Sequence, residues 1–288
     1  MKRRDFLKAL GIGLMGIGMC PLLGKAQIFR EPEEMEKSPE FMGVLVDTTR
    51  CIGCRACEAA CAESHGLPVP DIDDISVFKT SRKPSTQQLT VVNRFETEKG
   101  EVFVKTQCMH CNQPACVTAC LVKAFQKQPY AHVTWDKNCM GCRFCMYVCP
   151  FDIPKFEYEK AIPEIKKCDF CFDRFKKGMI PACVEVCPQE ALIFGKRRDL
   201  LHEAKTRIYK DPDKYYHHIY GENEVGGTSF LYLSKVPFEQ IRFRTDLGTT
   251  PYSKYQKIFI DVVDLIFILW PVTMWSLYEL TKKEVGNE

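Results

Sequence analysis

Short apolar runs separated by polar stretches recur along the chain, and most of them are too short to form helices. Runs that alternate apolar and polar residues, or that are bounded by turn residues, indicate β-strands. Glycine or charged residues mark the turns between these strands. The sequence of residues 199–209 indicates a helix. The resulting fold class is α+β with small elements. The predicted strands cover residues 41–47, 89–95, 101–105, 131–135, 191–194 and 230–233.

The longest apolar stretch covers residues 258–278, and its 21 residues are long enough to cross a bilayer at about 1.5 Å of rise per residue. Asp261 and Asp264 lie near its start, Pro271 lies within it, and lysines follow it. Lysines after a span are typical of an inside C-terminus. We therefore expect residues 256–280 to form a hydrophobic C-terminal helix that either spans a membrane or docks on a membrane partner.

Cysteine is the residue type that changes the picture most, because sixteen of the 17 cysteines fall into four runs and only Cys20 is left over. Run 3 has the spacing C-x2-C-x2-C-x3-C followed by Pro150, which is the bacterial ferredoxin pattern for a [4Fe–4S] cluster. Run 1 repeats this spacing, run 2 reads x2-x4-x3 and run 4 reads x2-x11-x3. The runs are Cys51, Cys54, Cys57 and Cys61; Cys108, Cys111, Cys116 and Cys120; Cys139, Cys142, Cys145 and Cys149; and Cys168, Cys171, Cys183 and Cys187.

The spacing within a run has a physical reason. Three closely spaced thiolates can hold three corners of one cluster, whereas the fourth cysteine points away and ligates a different cluster. Each run is then half of a two-cluster unit, and sixteen thiolates at four per cluster predict four [4Fe–4S] clusters. The recurring order of strand, cysteine run and helix predicts two pseudo-symmetric double-cluster ferredoxin-like units within residues 41–200.

Two other uses of the cysteines are open. C-x2-C pairs also bind zinc, and an exported chain can carry a disulfide framework. Zinc sites do not need a third and a fourth cysteine at this spacing, and cysteines two residues apart are poorly placed to bridge one another. The spacing therefore favours iron–sulfur clusters.

Charged residues beside the cysteines offer a second kind of candidate. Arg55, Arg143, Lys166 and Lys167 could offset the negative charge of the clusters, or could be solvated surface charges. His110, between two cysteines of run 2, is a candidate hydrogen-bond donor to a cluster sulfur. The net charge of +3, with dispersed basic residues, gives no indication of nucleic-acid binding. The aromatic, cysteine-free residues 201–255 are expected to pack as an extension on the ferredoxin body.

The N-terminus carries a motif of its own, Lys2-Arg3-Arg4-Asp5-Phe6-Leu7-Lys8, before a weakly apolar run. It resembles a twin-arginine export signal, which residues 1–26 would form. This route moves folded proteins, and cluster assembly needs cytoplasmic machinery. Cleavage after Gly24-Lys25-Ala26 and retention as an uncleaved anchor are both open, and Met19 makes Cys20 a poor lipoprotein site. Residues 27–40 are polar and contain proline, which is typical of a linker.

The four cysteine runs resemble the four-cluster iron–sulfur subunits of membrane-bound oxidoreductases, a group that serves formate dehydrogenase, dimethyl sulfoxide reductase and polysulfide reductase. The resemblance implies that run 1 pairs with run 4 and run 2 with run 3. It implies four ligand sets, which we call sites A to D: site A, Cys51, Cys54, Cys57 and Cys187; site B, Cys168, Cys171, Cys183 and Cys61; site C, Cys108, Cys111, Cys116 and Cys149; site D, Cys139, Cys142, Cys145 and Cys120.

The export signal, the hydrophobic C-terminal segment and residues 214–228, with the Val236-Pro-Phe-Glu239 segment after them, resemble the ferredoxin-type subunit of hydrogenase-2-class uptake hydrogenases. This implies an electron-transfer subunit with no catalytic residues, placed on the periplasmic side of the inner membrane. Its partners would be the hydrogenase small and large subunits and an integral membrane quinone-reactive subunit. The alternative is the iron–sulfur subunit of a molybdopterin oxidoreductase. A ligand-binding or redox-sensing protein would usually lack one cysteine in a run, and no run lacks one.

Overall fold

The structure is a computed structural model that describes residues 40–285, so the predicted export signal and nearly all of the predicted linker lie outside the described residues. Nine strands and seven α-helices form within that range. The strands are β1 (Met42–Asp47), β2 (Val91–Thr97), β3 (Gly100–Thr106), β4 (Phe125–Lys127), β5 (Val133–Trp135), β6 (Lys155–Phe156), β7 (Ile165–Lys166), β8 (Leu192–Lys196) and β9 (Phe230–Leu233). The helices are α1 (Ala56–Ser64), α2 (Ala115–Thr118), α3 (Phe144–Tyr147), α4 (Phe172–Lys176), α5 (Ala182–Glu185), α6 (Arg197–Lys210) and α7 (Tyr252–Val285), and short 3-10 helices cover Ile75–Lys79, Glu224–Gly226 and Phe238–Ile241.

The largest sheet has three strands in the order β8-β1-β9. Strand β8 pairs antiparallel with β1, and β9 pairs parallel with it, so that Val44 lies between Phe194 and Phe230. The remaining strands form three separate hairpins, β2-β3, β4-β5 and β6-β7. The predicted strands and the predicted helix of the body are confirmed to within a few residues at each end.

Strand β1 is buried on both faces, which explains its unbroken apolar sequence. Successive side chains of a strand point to opposite faces. Val44 and Val46 face one core, which includes Phe230, whereas Leu45 packs with Leu200 of α6 in a second core. Strand β1 therefore packs on one face against the core that includes a cysteine of run 4, and on the other face against helix α6.

The predicted repeat of strand, cysteine run and helix is present four times, and its helices are short. Run 1 follows β1 and extends into α1, run 2 follows β3 and includes α2, run 3 follows β5 and includes α3, and run 4 follows β7 and includes α4 and α5. Helices α2, α3 and α5 have four residues each. Helices this short bury little apolar surface by themselves, so the mixed helix and strand elements are expected to depend on the metal centres for stability.

Residues 201–255, the predicted extension, contribute side chains to the core and a strand to the central sheet. Tyr220 and Tyr232 lie in the same core as Val44, and each is 1% exposed. Strand β9 is part of the central sheet, and the predicted domain boundary at residue 200 falls inside α6. The domain boundaries themselves stay a prediction.

Helix α7 covers the segment for which a hydrophobic helix was expected, and it continues through Pro271. No helix in the described part of the chain is long and apolar enough to cross a membrane. The prediction of a transmembrane span is therefore not supported. Polar residues such as Thr273, Ser276 and Glu279 interrupt the apolar sequence of the helix and lower its hydropathy.

Candidate metal centres

The sixteen cysteines of the four runs all carry free thiols. No disulfide joins cysteines within residues 40–285, so the described structure does not contain the disulfide framework considered above. Most of these thiols are buried or half-buried, and Cys54 and Cys142 are exposed. Free, clustered thiols are the donor set that iron–sulfur clusters use.

Runs 1 and 3, which share the same spacing, also share the same backbone conformation. In run 1, Gly53 has φ of 74° and Arg55 has φ of 60°; in run 3, Gly141 has φ of 72° and Arg143 has φ of 59°. Arg55 and Arg143 are the residues that precede α1 and α3. These left-handed residues reverse the chain, so that thiols on both sides of the turn can face one point.

Runs 2 and 4 share a different local structure, which their unequal spacing conceals. Both contain the sequence Pro-Ala-Cys-Val, in which the proline immediately precedes a four-residue helix. Pro114 precedes α2 and Pro181 precedes α5, with ψ of 122° and 136°. Each helix therefore begins one residue before its third cysteine, and the long insertion of run 4 holds helix α4.

Run 1 and run 4 come together in space, as the ligand sets of sites A and B require. Helix α1 packs against α5. Burial raises the pKa of the Cys51 thiol to about 11. A hydrogen bond from Gly53 lowers this pKa in part, and the neighbouring Cys187 raises it further. Burial and then the nearby Cys61 raise the pKa of Cys168 well above its usual value. The fourth cysteine of each run therefore lies beside the other run.

Run 2 and run 3 are arranged in the same way at sites C and D. Helix α2 packs against α3. Burial and then Cys149 raise the pKa of Cys116. Burial, followed by Cys139, Cys142 and Cys120, raises the pKa of Cys145 to about 12. The ligand sets, in which the fourth cysteines of paired runs are exchanged, stay a prediction. The cysteines that lie near one another are those that this prediction requires.

The environment of the thiols fits bound iron. Burial favours the neutral thiol, whereas a metal ligand must be a thiolate, so a cationic iron core would offset the cost of removing water. Backbone amides already point at two sulfurs: Ala124 N–H donates to Cys120 Sγ at 3.2 Å, and Gly141 N–H donates to Cys139 Sγ at 3.4 Å. Such hydrogen bonds are among the factors that set cluster potentials.

A cavity at site A is lined by all four of its predicted ligands, together with apolar side chains such as Val46 and Leu192. Gly53 lies in the turn between two of these ligands, Cys51 and Cys54. A Cβ at this position would overlap the ring of Phe103. The glycine of run 1 is thus required both by its positive φ and by the space beside it.

The charged candidates have different outcomes. Arg55 is 2% exposed and pairs with Glu58 at 3.1 Å, so it is neither a solvated charge nor free to face a cluster alone. Arg143 is exposed, and Lys166 pairs with Glu164 at 2.5 Å. The candidate that fits a role beside the cysteines is Lys167, which is buried and donates to the carbonyl oxygen of Cys168 at 2.8 Å.

Sequence reasoning missed the buried carboxylate that organises run 1. Glu58, 2% exposed, accepts a hydrogen bond from the Val92 amide at 2.5 Å and pairs with Arg82 at 2.6 Å as well as with Arg55. Arg55 in turn donates to the carbonyl of Asp71 at 2.7 Å. The sequence signal is weak, because an Arg and a Glu three residues apart at the start of a helix usually form a surface pair.

Two histidines occupy specific positions near the cysteines. His65 Nε2 lies 2.8 Å from Asp169, and its Nδ1 lies 2.7 Å from the Cys61 carbonyl oxygen and 3.8 Å from the Cys61 sulfur. Although burial lowers the pKa of His65, its contacts with Asp169 and Cys61 raise it to about 11. His110 is fully buried, and its Nδ1 accepts from the Val133 amide at 3.0 Å. A histidine nitrogen thus lies near a cysteine sulfur at position 65, and the hydrogen bond from His110 to a cluster sulfur stays a prediction.

Two parts of the chain match the 4Fe-4S dicluster domain, residues 50–124 and residues 100–197. Relatives also match most of the chain. A protein of Nitratidesulfovibrio vulgaris is 46% identical over 248 residues, which cover 84% of this chain and 67% of that protein. Hydrogenase-2 operon protein HybA of Escherichia coli O157:H7 is 35% identical over 277 residues, which cover 84% of this chain and 83% of HybA.

A third relative is the iron-sulfur subunit of the nitrate-inducible formate dehydrogenase of Escherichia coli strain K12. It is 33% identical over 211 residues, which cover 70% of this chain and 71% of that subunit. This chain belongs to their family, the 4Fe-4S dicluster iron–sulfur subunits. It is an electron-transfer subunit of an oxidoreductase complex that works with a catalytic partner and is not itself the catalytic subunit. It holds four [4Fe-4S] clusters, which supply one-electron transfer.

Proposed function

We propose that this subunit passes electrons between a periplasmic hydrogenase and an integral membrane subunit that reduces quinone. The single observation that carries the proposal is the continuous series of thiol groups through the body. Cys183 of site B lies close enough to Cys57 of site A to raise the pKa of Cys57, in addition to the larger effect of burial. In the same way, Cys108 of site C lies close enough to Cys168 of site B to raise the pKa of Cys168.

Site C is joined to site D through Cys149, which follows the other cysteines of run 3 in sequence and lies beside Cys108. The predicted sites therefore follow one another in the order A, B, C and D. An exposed cysteine lies at each end of this series, Cys54 in site A and Cys142 in site D. An electron-transfer subunit between two partners needs this arrangement, since each partner must approach one terminal centre.

The position of α7 supports site D as the end that faces the membrane partner. Helix α7 packs against α2, which carries Cys116 of site C and leads to Cys120 of site D. Farther along α7, apolar side chains are exposed, among them Phe267 at 74% and Trp275 at 72%. We propose that this apolar surface docks on the integral membrane subunit, which would cover it. Contact with apolar surface stabilises by about 25 cal/mol per Å² removed from water.

A hydrogenase is proposed as the catalytic partner because HybA is named for the hydrogenase-2 operon and aligns with 84% of this chain. The resemblance includes residues 214–228, which contribute Tyr220 and Val225 to the interior of the extension. A molybdopterin enzyme is the alternative partner, as the relative from nitrate-inducible formate dehydrogenase indicates. We propose the periplasmic side of the inner membrane as the location, on the basis of Arg3, Arg4 and the residues after them.

The partner assignment is tested by deleting the gene for this subunit in its own host. We expect hydrogen-dependent quinone reduction to be lost, whereas hydrogen oxidation with an artificial dye should continue, because the dye accepts electrons directly from the catalytic subunit. The wild-type gene restores quinone reduction. Unchanged quinone reduction in the deletion strain would exclude this role, and a loss of formate or sulfur-compound turnover instead would assign the subunit to a molybdopterin enzyme.

A further inference from the structure

Lys105 is a buried lysine on β3 that lies between two of the predicted cluster sites. It is 3% exposed, and within residues 40–285 it forms no ion pair with a carboxylate. Its ammonium group instead donates to Gln107 Oε1 at 2.9 Å and lies 5.7 Å from the centre of the Phe230 ring. A buried charge without a counter-charge is costly, so another negative group is expected nearby.

A closed set of hydrogen bonds holds the lysine in place. Gln107 Nε2 donates to the Tyr232 hydroxyl at 2.7 Å, and that hydroxyl donates to the Lys105 carbonyl oxygen at 2.8 Å. Gln107 and Tyr232 are each 1% exposed. The side chain is therefore positioned by its neighbours, unlike a flexible surface lysine.

Lys105 lines the cavity of site A together with all four predicted ligands of that site. Its ammonium also acts electrostatically on cysteines of two sites. It lowers the pKa of Cys57 and Cys51 in site A against the larger, opposite effect of burial. It acts in the same way on Cys168 and Cys183 of site B. One cation is thus within electrostatic reach of two neighbouring ligand sets.

We propose that Lys105 is the shared counter-cation of sites A and B, and that it makes one-electron reduction at both sites more favourable. Four thiolates give each cluster a net negative charge, which increases by one when an electron is added. A fixed positive charge in a buried, low-dielectric position stabilises the more negative state. It also decreases the repulsion between the two sites when both are reduced. The inference rests on the proposed ligand sets.

The effect of Lys105 should be local, because site C has buried lysines of its own. Lys127 donates to the carbonyl oxygens of Cys111 and Ala131, both at 2.8 Å, and Lys167 lies near Cys116. Both lysines donate to backbone carbonyl oxygens, and the cysteines that act on Lys105 belong to sites A and B. Loss of the Lys105 charge should therefore leave the potentials of sites C and D nearly unchanged.

The experiment is a reductive titration of the purified subunit followed by electron paramagnetic resonance. Each site gains one electron from dithionite, which is oxidised. The variant Lys105→Met removes the charge and keeps the length of the side chain. Lys105→Arg keeps the charge, and Lys99→Met removes an exposed charge from the same β2-β3 hairpin. The reduction step that is missing from the titration of Cys51→Ala identifies site A, and the step that is missing from that of Cys183→Ala identifies site B.

In Lys105→Met we expect the equilibrium constant for reduction at sites A and B to fall at least tenfold, or about 59 mV for a one-electron couple. Lys105→Arg and Lys99→Met should keep the wild-type potentials. Unchanged potentials in Lys105→Met, or an equal shift at all four sites, would overturn the proposal. An equal shift in Lys105→Arg would also overturn it, because packing and not charge would be the cause.

Iron and sulfide analysis separates this inference from the ligand assignment. About four irons per cluster, or sixteen in the wild-type subunit, support the four sites, and fewer would contradict the proposed ligands themselves. If Lys105→Met binds less iron than wild type, the titration is carried out on Lys105→Gln, whose neutral side chain is polar. The equilibrium constant for reduction at sites A and B should fall in Lys105→Gln as well. An unchanged constant in that variant would overturn the proposal that Lys105 is the counter-cation.

Discussion

Cys149 lies beside Cys108, although one belongs to run 3 and the other to run 2. Burial raises the pKa of Cys149 to about 11. A hydrogen bond from the Ile153 amide lowers this pKa in part, and the nearby Cys108 raises it further. The last cysteine of run 3 therefore lies where the predicted ligand set of site C requires it. Sites C and D can then assemble only when runs 2 and 3 are both in place.

The exchange of the fourth ligand is tested by Cys149→Ala. We expect this variant to lose or damage the cluster of site C and to keep that of site D, since Cys149 is predicted to bind the former. The matched variant Cys120→Ala should show the reverse. Iron content and electron paramagnetic resonance of both variants provide the measurement. If Cys149→Ala removed the cluster of site D instead, each run would complete its own cluster, contrary to the arrangement of thiols.

Gly53→Ala is expected to disrupt site A. The residue has φ of 74°, and the new methyl group would overlap the Phe103 ring. Left-handed backbone alone costs a residue other than glycine about 1–3 kcal/mol. Gly66→Ala is the control, because Gly66 has φ of 61° and no atom within 4 Å of the added Cβ.

The two glycine variants are compared by iron content and by the midpoint of denaturant unfolding. Gly66→Ala should lose only about 1–3 kcal/mol of stability and keep all its iron, since backbone strain is its only cost. Gly53→Ala should lose more stability, together with the cluster of site A. Equal behaviour of the two variants would show that the contact with Phe103 has no effect.

Glu58→Ala should destabilise the subunit strongly. The carboxylate is buried and pairs with Arg55 and Arg82, so its removal leaves a buried guanidinium without a counter-charge. Breaking such a pair costs about 3–5 kcal/mol. Glu63→Ala, an exposed position on the same helix, should change the free energy of unfolding by less than about 0.5 kcal/mol. Similar losses in the two variants would contradict the role of the buried ion pairs.

A chain that ends after Tyr255 should keep all four clusters but should no longer associate with the membrane partner. The cut retains Ser253, which is buried at the start of α7, and removes the exposed apolar surface that follows. A chain that ends after Lys282 is the control and should behave as wild type. Iron content, membrane fractionation and hydrogen-dependent quinone reduction are measured for both. Equal quinone reduction by the two chains would show that the apolar part of α7 is dispensable.

Local features could be predicted from the sequence because they depend on neighbours along the chain. The apolar pattern of residues 41–47 indicates β1, and the spacing of run 3 indicates a cluster, since both follow from short-range geometry. The common turn of runs 1 and 3 is local in the same way, because Gly53 and Gly141 occupy equivalent positions. The apolar length of residues 258–278 led to the prediction of a hydrophobic membrane helix, whereas α7, the helix that forms there, is not apolar enough to cross a membrane.

The neighbours of each run depend on long-range packing, which periodicity and spacing do not contain. Cys187 reaches Cys51 because α5 packs against α1 and β8 pairs with β1. The position of Lys105 is the clearest case: a lysine in a hairpin strand reads as a surface charge, yet tertiary packing buries it beside cysteines from two distant runs. The sequence by itself determined the four cysteine runs and the local turns, because residue type and short-range geometry dictate them. Only the tertiary structure decided which thiols are neighbours and which charges lie near them, because those relations arise when distant segments exclude water together.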